Sequence, residues 1–188
     1  MLTLENITQQ FGDKILYENI SAQINRGEHV GLIGRNGAGK STLIKIITGE
    51  LLPDEGRVVF PKNLHLGYLD QYVNVAEGLT IQGFLETAFA GDFAKEARIG
   101  ELYTQYGESL DNRLLEQAGQ LQNELDQGEF YQMQTIIDEL ATGLGITILG
   151  MDTKMSNLSG GQRSKIILAK MLLEKPDLLI LEILHQKS

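Results

Sequence analysis

The sequence predicts an α/β fold with two additions, an antiparallel β-subdomain near the N-terminus and a helical subdomain carrying an inserted arm. Three observations predict it. Short alternating runs lead into an apolar run, a glycine-rich loop and a helix over residues 29–48. Beyond Leu79 the apolar spacing becomes helical for some sixty residues. The α/β pattern then returns, with a helix at Gly160–Leu173 and an apolar strand at residues 178–181 of the kind buried in parallel sheets.

The elements follow in order. Leu2-Thr3-Leu4-Glu5-Asn6-Ile7 alternates as a half-buried strand does. Phe11-Gly12-Asp13-Lys14 is a turn, residues 20–24 alternate again, and Arg26-Gly27-Glu28 is a second turn. Residues 29–33 are short and apolar and predict a strand running into Gly34. Lys40–Thr48 places Leu43, Ile44, Ile46 and Ile47 as a buried helix would, with Gly49 closing it and Pro53 beyond. Residues 57–60 and 64–69 predict two more strands. After Leu79, Ile81, Phe84, Leu85 and Ala88 have helical spacing, and Leu110, Leu114, Ala118, Leu121 and Leu125 form a stripe. Asp126-Gln127-Gly128 interrupts it, Gly128 suiting a left-handed C-terminal stop, and Phe130, Met133, Ile137 and Leu140 resume. Two antiparallel helices joined at that tight turn are the expectation. Lys175-Pro176-Asp177 ends the later helix.

Composition bounds the function. A chain of 188 residues holds one domain with a core and is too short for two full ones. No apolar run is long enough to cross a bilayer and no signal-peptide pattern opens the chain, which predicts a cytoplasmic protein without direct membrane insertion. The absence of cysteine excludes disulfides and zinc–thiolate sites and fits a reducing compartment. The net charge is −9, and all of the excess lies in residues 79–143, with 12 acidic and 3 basic residues against 13 and 13 elsewhere. Such a segment is a solvated face or a surface that meets something basic, and is not built to grip phosphates by itself.

Two motifs carry chemistry. Gly34-Arg35-Asn36-Gly37-Ala38-Gly39-Lys40-Ser41 fits G-x-x-x-x-G-K-[ST] between an expected strand and a helix, with Thr42 following. Glycines let backbone N–H groups converge on phosphate oxygens, and the helix N-terminus adds favourable potential. Lys40 would reach the β- and γ-phosphates of ATP, and the Ser41 hydroxyl would ligate Mg²⁺. The second motif is Leu158-Ser159-Gly160-Gly161-Gln162-Arg163. Ser159, Gly160, Gly161 and Gln162 at a helix start predict another phosphate cradle, although Ser-Gly-Gly also begins helices for structural reasons. No N-K-x-D sequence is present, which argues against a dedicated GTPase.

With both motifs in one chain, the sequence resembles the ABC ATPase superfamily, matching its L-S-G-G-Q signature without change. The resemblance implies a P-loop NTPase fold, the ABC nucleotide-binding domain, with ATP and Mg²⁺ as ligands. It implies that the signature of one such domain closes over ATP held by the P-loop of another, in the same parent chain or a homodimer. Phe11 lies where the family places an aromatic that stacks on adenine, and Gln71 where it places the Q-loop glutamine that touches Mg²⁺ and the attacking water. The resemblance organises the chain as P-loop core and β-subdomain at 1–78, helical subdomain with arm at 79–143, signature helix and Walker B strand at 144–181, and an atypical tail at 182–188.

The separation of 88 positions from Gln71 to Ser159 exceeds the interval of transporter ATPases, and an added helical hairpin there resembles the ABC-F branch. The opening residues through Gly12-Asp13-Lys14, and Gly67-Tyr68-Leu69-Asp70-Gln71, are similar to that branch too. ABC-F proteins carry two such domains, have no membrane part and act on ribosomes to regulate translation or resist antibiotics. The alternative is the ATPase subunit of a membrane transporter, and a third reading is a catalytically dead binding fragment. After Leu181 the family continues Asp-Glu-Pro-Thr, whereas this chain has Glu182 at the Walker B aspartate position and Ile183 at the catalytic glutamate position. The expectation is a truncated first domain that binds ATP without meaningful hydrolysis.

Overall fold

Leu2 and Leu4 are buried on one face of β1 (Leu2–Phe11), and strict alternation would bury Asn6 next. A bulge prevents this. Asn6 adopts φ 52°, the ladder register shifts between Leu4 and Ile7, and Ile7 and Gln9 are buried instead. The computed structural model describes residues 2–35, 37–68 and 78–181. The chain divides into two units, Met1–Asp70 with Pro176–Ser188, and Gln71–Lys175.

In the first unit, β1 pairs antiparallel with β2 (Lys14–Ile24) on one side and β3 (Glu55–Val59) on the other, giving the order β2-β1-β3. The helix α1 (Lys40–Thr48) lays Leu43, Ile46 and Ile47 against Leu2, Leu4 and Ile7, closing one core. Leu178 and Ile180 pack on the same cluster from β5 (Leu178–Ile180), which pairs parallel with β4 (Leu66–Tyr68). Asp177 fixes that pairing. Its N–H donates to the His65 carbonyl at 2.8 Å, and its carboxylate accepts from the His65 N–H at 3.0 Å.

Two expectations fail in this unit. Residues 29–33 form no strand, and Val30, Leu32 and Ile33 are 62%, 48% and 95% exposed. A strand exists only as part of a ladder, and no described strand pairs with this segment. β5 is half-buried, not buried, because among the described residues it has one neighbouring strand.

The second unit is helical. α2 (Ile81–Glu86) buries Ile81, Phe84 and Leu85 and starts under Thr80, whose hydroxyl accepts from the Gly83 N–H at 3.1 Å. The long pair α3 (Ala90–Ser109) and α4 (Asn112–Gln127) closes around Ile99, Leu102, Ala118 and Leu125, with Phe130 beneath. This is the hairpin, and its turn lies at Leu110-Asp111, not at Gly128. Leu110 is not on the apolar stripe. It stands in the left-handed region at φ 54°, is 71% exposed, and closes α3 through its N–H on the Tyr106 carbonyl at 2.8 Å. Gly128 also departs from expectation, since it is extended at φ −82° and ψ −167°. Its lack of a side chain serves close approach, because a Cβ there would lie 3.3 Å from the Glu124 carbonyl. Beyond it, α5 (Met133–Gly143) buries Ile137 and Ala141, and α6 (Gly160–Leu173) buries Ile166, Ile167, Ala169, Met171 and Leu173.

Candidate nucleotide site

The expected phosphate loop is built in the first unit on the start of α1. Gly37 and Gly39 have φ +77° and +91°, values that a side chain disfavours, and these turns bring the chain round to Lys40. The N-cap of α1 is Gly39 itself, so it supplies no side-chain oxygen, and the first turn holds no acidic residue. α2, α4 and α6 each begin under a side-chain oxygen, from Thr80, Asp111 and Ser159, whereas α3 and α5, like α1, have no side-chain cap. Lys40, Ser41 and Thr42 open the first turn of α1, and a helix N-terminus favours negative charge. Lys40 Nζ donates to the Gly34 and Arg35 carbonyls at 2.8 and 3.0 Å, which folds its ammonium back over the loop. Ala38 N–H closes the turn on the Arg35 carbonyl at 3.1 Å.

The donor set suits a triphosphate with Mg²⁺. No group of three or more His, Cys, Asp or Glu residues that could hold a metal occurs among the described residues. Mg²⁺ keeps waters and phosphate oxygens and needs few protein ligands, so one hydroxyl such as Ser41 on an exposed first turn is compatible with it. Phe11 ends β1 with its ring 54% exposed, directly across the ladder from Lys14. Asn36, Gln71, Glu182 and Ile183 lie outside the described residues.

The second motif begins α6 in the other unit. Its Ser159 hydroxyl accepts from the Gln162 N–H at 3.3 Å, while Gln162 Oε1 accepts from the Ser159 N–H at 2.8 Å. This reciprocal capping box gives Gln162 a local job, and it leaves the first-turn N–H groups of exposed Gly160 and Gly161 outward. The loop before it is anchored firmly. Met155 and Leu158 are buried, the Met155 N–H donates to the Leu79 carbonyl at 2.9 Å, and the Ile81 and Gln82 N–H groups donate to Thr153 and Met151.

Sequence reasoning missed two residues at the P-loop. Lys14 Nζ donates to the Gly37 carbonyl at 3.2 Å, and the Tyr17 hydroxyl donates to the Gly39 carbonyl. Both come from β2, more than twenty residues away, and no local pattern announces such a contact.

A family model described as ABC transporter matches residues 17–182. The chain belongs to the ABC ATPase superfamily. Within that superfamily it sits in the F branch, and its relatives show the range. It is 43% identical over 97% of its length to the ABC transporter ATP-binding protein YfmM of Bacillus subtilis, covering 36% of that protein. Against the energy-dependent translational throttle protein EttA of Mycobacterium tuberculosis, identity is 29% over 96% of this chain and 32% of the relative. Against the ABC transporter F family member 2 of Arabidopsis thaliana it is 31%, over 95% and 27%. This ABC ATPase chain therefore spans about a third of the length of the curated relatives it matches. The fold agrees: the solved ATP-binding subunit of an ABC transporter superposes with TM-score 0.64 at 20% identity, over 95% of this chain and 64% of that one.

Proposed function

We propose that this ABC domain binds MgATP on the α1 loop as part of a longer, cytoplasmic ABC-F ATPase that acts on the ribosome. The observation that carries the nucleotide reading is the start of α1, glycine-capped, free of acidic residues and served by Lys40. Phe11 stacks on the base, Lys40 exchanges its loop carbonyls for phosphate oxygens, and Ser41 and Gln71 reach the Mg²⁺. Gly160 and Gly161, with Ser159 and Gln162, meet the nucleotide held by a second nucleotide-binding domain, in the same parent chain or a homodimer. With Ile183 at the catalytic glutamate position, no side-chain lone pair orients water there, so this chain is read as a binder of ATP. The name of one relative, a translational throttle protein, supports a role in translation. The α3–α4 hairpin favours this branch over a transporter subunit, and among the described residues no helix is long and apolar enough to cross a membrane.

The test is titration of the chain with a fluorescent ATP analogue. Lys40→Ala, which removes the ammonium held on the Gly34 and Arg35 carbonyls, should weaken binding by at least about a hundredfold, the scale of losing charge-assisted bonds to phosphate. Equal affinity in the two proteins would overturn the site.

A further inference from the structure

The P-loop is tied to the β1–β2 hairpin at two points. Lys14 holds the Gly37 carbonyl at 3.2 Å, and Tyr17 holds the Gly39 carbonyl. In a trans peptide the C=O and the following N–H point in opposite directions. Fixing the Gly37 and Gly39 oxygens therefore also fixes where the Ala38 and Lys40 N–H groups aim. The Ala38 N–H is accordingly turned onto the Arg35 carbonyl at 3.1 Å. The Gly39 carbonyl is held twice, since it also accepts from the Leu43 N–H at 2.9 Å in the first turn of α1. Tyr17 is placed for this by packing on the cluster that α1 shares with β1, and burial pushes its phenol pKa up.

The same hairpin carries Phe11, the exposed ring directly across the ladder from Lys14. One rigid element thus holds both the ring and, through two side chains, the backbone of the loop. We propose that Lys14 and Tyr17 are positioning residues that set the register between the base-stacking ring of Phe11 and the phosphate cradle, so that a nucleotide is bound as a whole and not as a polyphosphate alone. This rests on the nucleotide reading above. The two side chains touch the loop backbone, and their effect passes through the loop.

The experiment uses the full chain, with calorimetric titration by MgATP and, as a probe without a base, by magnesium tripolyphosphate. Tyr17→Phe keeps the ring packing and loses only the hydroxyl. It should weaken MgATP about five- to tenfold, the scale of one hydrogen bond, and tripolyphosphate about twofold or less. Lys14→Met should act in the same direction, and Lys14→Arg, which keeps a long cationic donor, should restore most of the affinity. In a Phe11→Ala background Tyr17→Phe should lose most of its effect on MgATP, because a register has no meaning with one end removed. A purely structural role would instead lower the melting temperature, leave affinity for the folded protein unchanged and combine additively with Phe11→Ala. That result overturns the proposal while binding by the wild type, abolished in Lys40→Ala, keeps the site. Failure of the wild type to bind MgATP overturns both.

Discussion

Gly39 shows how tightly a single position of the loop is specified. Its φ of +91° disfavours any side chain, and a Cβ there would lie 2.8 Å from Tyr17 Cζ and 3.1 Å from Cε1. Gly39→Ala should therefore destabilise the first unit by about 1–3 kcal/mol from backbone strain and the clash together. Urea denaturation checks this, and the cost should shrink in a Tyr17→Ala background, where only the backbone term remains. The glycine itself was legible in the sequence, since the loop motif demands it. Its neighbour Tyr17 was not, because that contact is made by the fold, across a separation of 22 residues.

The helices differ in how far the sequence announced them. α1 and α6 begin and end at the expected residues, because each combines a dense apolar face with its own punctuation, Gly39 and Gly49 for one and the Ser159–Gln162 box for the other. α3 lies in the segment expected to be helical but was not foreseen as one arm of the hairpin, although it is the longest helix described, for it buries only Ile99 and Leu102 and leaves Phe93 and Tyr103 exposed. An arm with one neighbour needs only a thin apolar seam, and a thin seam is a weak periodic signal. That seam makes the hairpin sensitive at its few buried points. Leu125→Ala, at 1% exposure, should cost about 2–5 kcal/mol. Loss of helical circular dichroism at lower temperature would show it, and an unchanged melt would mean that the hairpin is held elsewhere. Residues 29–33 illustrate the opposite failure, an apolar run whose strand character depends on partners that local spacing does not reveal.

At the scale of the molecule, arm and loop belong to different units. The arm also bounds itself, since α3 begins at Ala90 and α4 ends at Gln127. Replacing residues 90–127 with a short polar linker should leave the affinity for MgATP within about twofold, while weakening co-sedimentation of the longer parent protein with ribosomes. Co-sedimentation unchanged by the deletion would remove the arm from that role. The acidic excess of this region makes a basic protein surface, not bare nucleic acid, the fitting contact. The start of α6 carries a further consequence, and it is kinetic. Its cap is completed by its own Ser159 and Gln162, so the helix end proposed above to meet the nucleotide of a partner domain is already ordered before any encounter. No folding step at that surface has to precede docking, and the speed of closure is left to diffusion and to the motion of the domains that carry it.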